Sequence, residues 1–588
     1  MREATLLALA RTPLFAPDDL TLLCPIGGRG ARRALDARVA AGEAGSVTDP
    51  ATRRRLYVLT AAGVEAVARL LRADPGELAG WYGLGEPALL RRLPALGRLV
   101  AGRAILLRLA RALAGAGGAL EEWRAYPVRW PYARGGRREA LVLDGEATLR
   151  FADGARCVVG LLWDGDTDAP PNALAVRLGR LAGARADPAY APPYPTRVPP
   201  VLLATASAAR VPPGYRPGLL WATTGALATA DPLTVAWRGV SGSGGSDEGY
   251  PLRAALDRVG RMPPRPTPAA TVRVPTTGVA PCRPDALRRR AARVRASPRA
   301  TSSPQNLAVL PLVLPPRAWP LLRCVGAHPL LGRHDLATVL GRDPFDTWEL
   351  LHTLRAHGLC AAWLPHGTGH AWRYSLTTRG TTLLARAAGL APSDYRQAYG
   401  VLDDARRSGE HGLSYARTNL EHTEGIIAAH LAFLAAARAR GGHLWWRGEW
   451  ACTRTYYARD RNGVEHKYVL RPDAELRYDG PGGPVRAYLE YDREREAPKR
   501  FAGKVAQYVA YRTDTGDDEF TVLFVTSRPA RGEIVLAAAR AIARRGRLPV
   551  LDVRATTATD LADQGPWAPI WRDAHGGVGF LSDDDGHG

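Results

Sequence analysis

Apolar residues near the start of the chain recur at helical spacing, and a hairpin pattern follows them. Ala31, Leu35 and Val39 lie four residues apart, which predicts a helix with one buried face. Residues 44–59 then alternate around a polar turn, as two short paired strands do. With two shorter helices before and one after, this order predicts a winged helix-turn-helix over residues 1–75.

The same order of motifs returns roughly three hundred residues later, which indicates an internal duplication. Tyr374-Ser-Leu-Thr-Thr-Arg-Gly380 matches Tyr57-Val-Leu-Thr-Ala-Ala-Gly63. In each copy a long amphipathic helix follows, near residues 96–114 and 421–440, and then short strands separated by helices. The chain is therefore predicted to be an α/β multidomain protein of two tandem units, each a winged helix followed by a mixed α/β sheet domain.

Domain boundaries follow from these elements and from shifts in composition. The stretch between the copies is dense in Gly, Ser, Pro and Arg, which favours an extended, mobile segment. The predicted segments are winged helix 1 at 1–75, sheet domain 1 at 90–240, a flexible basic linker at 241–306, winged helix 2 at 307–390, sheet domain 2 at 415–575 and an acidic tail at 576–588.

Charge points to a polyanionic partner. The chain has 79 Lys and Arg against 57 Asp and Glu, a formal net charge of +22, and double-stranded DNA is the partner that this balance favours over a membrane surface. The candidate DNA-binding residues lie on the third helix, the wing tip and the linker: Arg29, Arg32, Arg33, Arg53, Arg54, Arg55, Arg288, Arg289 and Arg290. Two alternatives to DNA contact stay open. The winged helices could serve only to pair the two copies, and the linker could be a solvated spacer.

Cysteine usage and hydropathy place the protein in the cytoplasm. Six cysteines occur without a C-x-x-C pair, so neither a zinc ribbon nor a disulfide framework is indicated. No apolar run approaches the roughly twenty residues that a membrane helix needs. We therefore expect a cytoplasmic protein that does not span a membrane.

Two carboxylates carry the candidate chemistry of the second copy. Asp473 and Glu490 fall on neighbouring predicted strands joined by the turn at 480–484. Such a pair suits Mg²⁺ or Mn²⁺, which prefers oxygen ligands, activates water and neutralises a phosphate. The position two residues after the glutamate, where a cation is expected, holds Asp492.

Lys504 is the candidate cation in its place. It flanks the stripe of Phe501, Val505 and Tyr508 on the following predicted helix, and its stem is long enough to reach the strand ends. The candidate catalytic set is therefore Asp473, Glu490, Asp492 and Lys504, with Asp473 and Glu490 as metal ligands. The alternative is that Glu490 and Asp492 are surface charges paired with Arg471, Arg486 and Arg493.

Together these motifs resemble the replication-relaxation family of plasmids and integrated mobile elements. The resemblance spans roughly 314–553 and rests on Arg471, Pro472, Asp473, Glu490, Asp492, Lys504 and Tyr508, with His422 and Glu449 before them. It implies a degenerate restriction-endonuclease-like, PD-(D/E)xK domain and DNA binding linked to replication, mobilisation or relaxation. Replication or mobilisation proteins are the further partners that it implies.

Comparison of the copies predicts that only the second retains a site. By sequence position, the first copy has Glu146 where the second has Asp473, and Leu162 where the second has Glu490. It likewise has Asp164 in place of Asp492 and Arg177 in place of Lys504. Loss of a carboxylate to leucine removes a metal ligand, so we expect the first sheet domain to be a structural pseudo-copy. Two functions remain: a DNA-binding protein whose second unit is a metal-dependent nuclease or nickase, and a non-catalytic DNA-binding regulator or assembly scaffold.

Overall fold

A computed structural model describes residues 1–49, 52–134, 137–165, 170–186, 198–211, 218–239, 249–259, 283–365, 371–403, 413–459, 464–492, 498–546 and 550–581. The chain forms two compact units. The N-terminal unit comprises residues 1–319, 356–358 and 382–398, and the C-terminal unit comprises 320–355, 359–381 and 399–588. Residues of the predicted second winged helix, 307–390, are thus divided between the two units.

Runs of helices and groups of strands follow one another along the described chain. The helices are α1 (Arg2–Arg11), α2 (Pro17–Leu23), α3 (Gly28–Ala40), α4 (Ala61–Leu71), α5 (Pro75–Tyr82), α6 (Glu86–Arg92), α7 (Leu96–Gly115), α8 (Pro171–Ala186), α9 (Thr224–Thr229), α10 (Leu252–Val259), α11 (Pro284–Ala296), α12 (Pro304–Ala308), α13 (Ala318–Ala327), α14 (Arg333–Leu340), α15 (Pro344–Ala356), α16 (Thr378–Ala387), α17 (Pro392–Tyr399), α18 (Leu413–Thr418), α19 (Leu420–Ala439), α20 (Glu449–Cys452), α21 (Pro498–Thr515), α22 (Pro529–Gly546) and α23 (Ala558–Gln564). The strands are β1 (Ala44–Thr48), β2 (Arg55–Leu59), β3 (Ala119–Arg134), β4 (Arg137–Arg150), β5 (Arg156–Asp164), β6 (Val201–Thr205), β7 (Leu219–Thr223), β8 (Arg238–Gly239), β9 (Cys360–Trp363), β10 (Arg373–Leu376), β11 (His443–Gly448), β12 (Arg454–Arg459), β13 (Glu465–Leu470), β14 (Ala474–Asp479), β15 (Val485–Tyr491), β16 (Thr521–Thr526), β17 (Val553–Thr557), β18 (Trp571–Asp573) and β19 (Val578–Gly579). None of these helices combines the length and the apolarity that a membrane span requires.

The N-terminal segment has the element order that its sequence predicts. Helices α1, α2 and α3 precede an antiparallel hairpin of β1 and β2, and α4 follows. Leu9, Leu35 and Tyr57 are fully buried, and they belong to one hydrophobic core with Leu106 of α7 and Leu161 of β5. The helices and the first sheet therefore fold as one body rather than as separate modules.

A Thr-x-x-Gly cap closes both hairpins at the start of the next helix. The Thr60 hydroxyl accepts a hydrogen bond from the Gly63 backbone N–H at 3.3 Å, and Thr377 accepts one from Gly380 at 3.1 Å. A Cβ atom at Gly63 would lie 1.9 Å from the Glu43 carbonyl oxygen. Glycine at this position is thus required by a close backbone approach.

Gly63→Ala is expected to lower the free energy of unfolding of the N-terminal unit by about 3 kcal/mol, because overpacking against backbone outweighs the helix propensity of alanine. Gly28→Ala is the matched control, since a Cβ there meets nothing within 4 Å. Scanning calorimetry should show a lower transition temperature for the first variant alone. Equal transition temperatures for the two variants would contradict the predicted backbone clash.

Each unit contains a mixed sheet whose strands follow one order. Among the described residues, the N-terminal sheet runs β3-β4-β5-β6-β7-β8, antiparallel except for the parallel pairs β5/β6 and β6/β7. The C-terminal sheet runs β11-β14-β15-β16-β17-β18-β19, with parallel pairs β15/β16 and β16/β17. From β3 to β8 and from β11 to β18, order and direction are the same.

Apolar residues on both faces of the C-terminal sheet explain its position between helices. Phe433 of α19 and Leu561 of α23 bury one face with Leu489. Phe501 of α21 and Val535 of α22 bury the other. Alternation along the strands therefore places successive side chains into two different cores.

Two predicted segments need correction. Residues 252–259 and 284–296 of the predicted linker are helical, and α11 packs against β1 because Leu287, Ala291 and Val294 form a buried stripe. Residues 241–248 and 260–282 of that segment lie outside the described residues, and α12 begins within its last part. In the predicted acidic tail, residues 578–579 form β19, and 582–588 lie outside the described residues.

Candidate carboxylate site

Asp473 is held at the point where the chain enters β14. Its Oδ2 atom accepts a hydrogen bond from the Tyr491 backbone N–H at 2.7 Å, and its Oδ1 atom lies 3.2 Å from Nε2 of His422 on α19. The side chain is nearly buried. Because Tyr491 directly follows Glu490, this hydrogen bond brings the first predicted carboxylate to the end of the strand that carries the second.

Glu490 lies on β15 and is 2% exposed. Lys504 donates a hydrogen bond to its Oε2 atom at 2.6 Å, and the Tyr508 hydroxyl donates one to Oε1 at 2.7 Å. Both donors project from α21, where Phe501 and Val505 fill the core as the sequence stripe predicts. The structure thus brings Asp473, Glu490 and Lys504 together.

The two carboxylates are in electrostatically different states. Burial raises the pKa of Glu490 to about 7; Lys504 opposes this shift and Asp473 adds to it. Burial also disfavours ionisation of Asp473, but the His422 hydrogen bond and the Lys504 charge outweigh it, so its pKa lies below the usual range. Asp473 is therefore the more readily ionised member of the pair.

Glu449 is a third carboxyl group close to this pair. It begins α20, the short turn that follows β11, and burial together with the Asp473 charge raises its pKa to about 7. The sequence pointed to it only through the family resemblance, because a lone glutamate after Trp-Trp-Arg-Gly has no pattern of its own. Glu449 lines one pocket together with His422 and Asp473, which places it in the same environment.

Asp492 forms a buried ion pair with Arg531 of α22. Oδ1 of the aspartate accepts from the guanidinium at 3.0 Å, and the second contact is shorter. Glu490 and Asp492 are 2% and 5% exposed, so the alternative that they are surface charges is wrong. Arg486 instead pairs with Asp517, and Arg493 lies outside the described residues.

The N-terminal unit has the same geometry with different chemistry. Asp144 is fully buried, and its Oδ2 atom accepts from the Trp163 backbone N–H at 2.6 Å, as Asp473 does from Tyr491. Arg177 donates to Asp144 at 2.6 Å, and Arg98 donates to it at 3.0 Å. Two arginines thus neutralise the single carboxylate, and Leu162 occupies the place of Glu490.

Strand register corrects the prediction of which residue in the N-terminal unit corresponds to Asp473. Gly145 pairs with Leu161 as Ala474 pairs with Leu489, so the residues before them, Asp144 and Asp473, correspond. The assignment of Glu146 to this position is therefore wrong; its register partner shows that it corresponds to Glu475.

The Asp492–Arg531 pair also has a counterpart. Asp164 accepts from Arg210 at 2.7 and 2.9 Å in the N-terminal unit. This pair therefore occurs in both units, including the one in which two arginines donate to the buried aspartate, so it does not distinguish the C-terminal site.

Asp473 and Glu490 offer carboxylate oxygens, the ligand type of a hard divalent cation. In the part of the chain that the structure describes, no three His, Cys, Asp or Glu side chains are close enough to enclose an ion. Mg²⁺ does not require such a cage, since it usually binds one or two carboxylates together with substrate phosphate and water. Asp473 and Glu490 are the residues that would hold it.

The predicted DNA-binding arginines fall into two groups. Arg29, Arg32 and Arg33 are exposed on α3, and Arg53, Arg54 and Arg55 are exposed at the hairpin tip, where Arg54 pairs with Asp18 and Arg55 with Asp36, each at 3.1 Å. The linker arginines lie instead on α11. Arg288 and Arg289 are exposed there, and Arg290 pairs with Glu86 at 2.7 Å.

Comparison with known proteins gives one result. Residues 322–523 match the replication-relaxation family. The match covers less than half of the chain. The matched range contains Asp473, Glu490 and Lys504, and it ends within β16. No curated protein and no solved structure matches the chain significantly.

Proposed function

We propose that the protein binds DNA and that its replication-relaxation region hydrolyses a DNA phosphodiester with the help of Mg²⁺ or Mn²⁺. One observation carries the second part: Asp473, Glu490 and Lys504 meet at the ends of β14 and β15. The order α19, β11, β14, β15, α21, β16 around them supports a restriction-endonuclease-like, PD-(D/E)xK assignment. The match to the replication-relaxation family supports a role in replication or relaxation of a plasmid or mobile element.

In the proposed reaction the oxygen of a water molecule bonds to phosphorus, and one P–O bond of the strand breaks, leaving a phosphate end and a hydroxyl end. Asp473 and Glu490 would hold the metal, which would supply charge neutralisation and water activation. Lys504 orients Glu490 and places a compact positive charge beside the scissile phosphate. His422 fixes the direction of the Asp473 carboxylate.

The N-terminal unit is proposed to be a duplicated, non-catalytic copy. Shared strand order and the matched Asp144 support duplication, and Arg98 and Arg177 occupy the place where a cation would bind. Its exposed arginines on α3 and the hairpin suit a winged helix that reads duplex DNA, with the helix in the major groove.

A supercoiled plasmid tests the proposal. Full-length protein with Mg²⁺ or Mn²⁺ is expected to convert it to nicked or relaxed circles, and EDTA should stop the reaction while leaving DNA binding intact. Electrophoretic mobility shift on the same plasmid measures binding independently. Binding without conversion in either metal would overturn the nuclease and establish the second candidate, a DNA-binding scaffold, which the internal neutralisation of Glu490 by Lys504 favours.

A further inference from the structure

A pocket adjoins the carboxylate site within the C-terminal unit. His422, Glu449 and Asp473 line one part of it, and His328 and His430 line another. Its lining combines a few polar groups with apolar and aromatic side chains, as pockets for small organic groups do. The pocket is therefore a candidate ligand site beside the residues proposed to hydrolyse DNA.

Three neighbouring rings, of which two are stacked, form one wall of this pocket. The centroids of His430 and Trp446 are 4.8 Å apart with an interplanar angle of 12°, and His328 lies 4.8 Å from His430. His430 is 5% exposed, and among the described residues neither histidine ring has a hydrogen-bond partner. Burial lowers the pKa of both histidines, so both are neutral at pH 7, and each presents one N–H donor and one nitrogen acceptor.

We propose that this pocket holds a nucleobase of the DNA strand, turned out of the helix next to the phosphodiester at Asp473 and Glu490. A base is planar, and its edge carries donors and acceptors that match the unpaired nitrogens of His328 and His430. Ile426, Ile427 and the aromatic wall supply the apolar surroundings that the faces of a base require. This inference rests on the proposed function, because it takes DNA as the substrate.

A pocket of this kind favours unpaired DNA, since removing a base from a duplex costs a few kcal/mol and removing one from a single strand costs less. The same base chemistry is available from a free nucleotide. The experiment therefore includes both sources, and it is performed in EDTA so that binding is measured without cleavage.

The test compares oligo-dT with an abasic strand of equal length and charge, using fluorescence anisotropy and the full chain. The wild type is expected to bind oligo-dT about 10-fold more tightly, the gain typical of one stacked base. Ile427→Trp, which fills the pocket, should abolish that preference. Ala428→Trp, on the exposed side of α19, is the matched control and should retain it. His430→Phe keeps ring stacking but removes the nitrogens, and it should retain only part of the preference.

Equal affinity of the wild type for both strands would overturn the proposal, as would an unchanged preference in folded Ile427→Trp, with folding checked by circular dichroism. Calorimetric titration with dTMP distinguishes a DNA base from a free nucleotide. If Ile427→Trp loses dTMP binding but keeps the oligonucleotide preference, the pocket binds free nucleotide and the proposed DNA base is wrong. If the wild type shows the base preference but never nicks plasmid, the nuclease proposal is wrong and the pocket assignment is unaffected.

Discussion

Replacing Glu490 with glutamine is expected to slow metal-dependent nicking of supercoiled plasmid by at least about 100-fold, because several kcal/mol of charge stabilisation by the metal depend on this ligand. Glutamine has nearly the same shape and can still accept from Tyr508, so the buried site keeps its packing. DNA affinity should not change, since the carboxylate is 2% exposed and adds nothing to the basic surface. Initial nicking rates on agarose gels, at saturating protein, measure the effect.

Glu533→Gln is the matched control for this substitution. It makes the same chemical change on α22, where Glu533 pairs with the exposed Arg572 at 3.4 Å, and nicking should proceed at the wild-type rate. If Glu490→Gln nicks as fast as this control, the Asp473 and Glu490 pair does not bind the catalytic metal. Thermal unfolding of both variants shows whether slower nicking comes from loss of the metal-binding carboxylate or from loss of the fold.

Replacing Arg29, Arg32 and Arg33 together with alanine is expected to weaken duplex DNA binding by about 10-fold or more. These side chains are exposed on α3, and each phosphate that they neutralise releases counterions. The slope of log affinity against log salt should therefore become shallower by about 2.7, which corresponds to three lost phosphate contacts. Fluorescence anisotropy at several salt concentrations gives both quantities.

Replacing Arg69, Arg72 and Arg111 together with alanine is the control, because it removes the same number of positive charges. These residues are also exposed, but they lie outside α3 and the hairpin. A general effect of net charge would weaken binding equally in both triple variants. An unchanged salt slope in the α3 variant would show that this helix does not contact the DNA backbone.

Local patterns predicted much of the architecture. The helical spacing of Ala31, Leu35 and Val39 placed α3, and the turn at 480–484 placed the hairpin of β14 and β15, because periodicity and turn chemistry act over a few residues. The stripe on α21 also predicted that Lys504 would flank the core and reach the strand ends, where it meets Glu490.

Local sequence patterns could not predict the strand register or the contacts between residues far apart in the chain. Glu146 and Asp144 lie on the same strand two positions apart and therefore on the same face, so alternation alone could not decide which corresponds to Asp473. The partner of Asp492 is Arg531, which approaches from a helix 39 residues later. The buried histidines of the pocket likewise lack a local signal, since His328 and His430 meet only through folding.

By itself, the sequence determined the repeated order of helices and strands, the positive charge and the position of a family-like group of Asp473, Glu490 and Lys504. Tertiary structure alone decided the electrostatic roles: burial and neighbouring charges ionise Asp473 more readily than Glu490, pair Asp492 with Arg531, and fill the corresponding site of the first unit with Arg98 and Arg177. The physical reason is that the protonation and pairing of a buried charge depend on the groups within a few ångströms of it, and those groups come from distant parts of the chain.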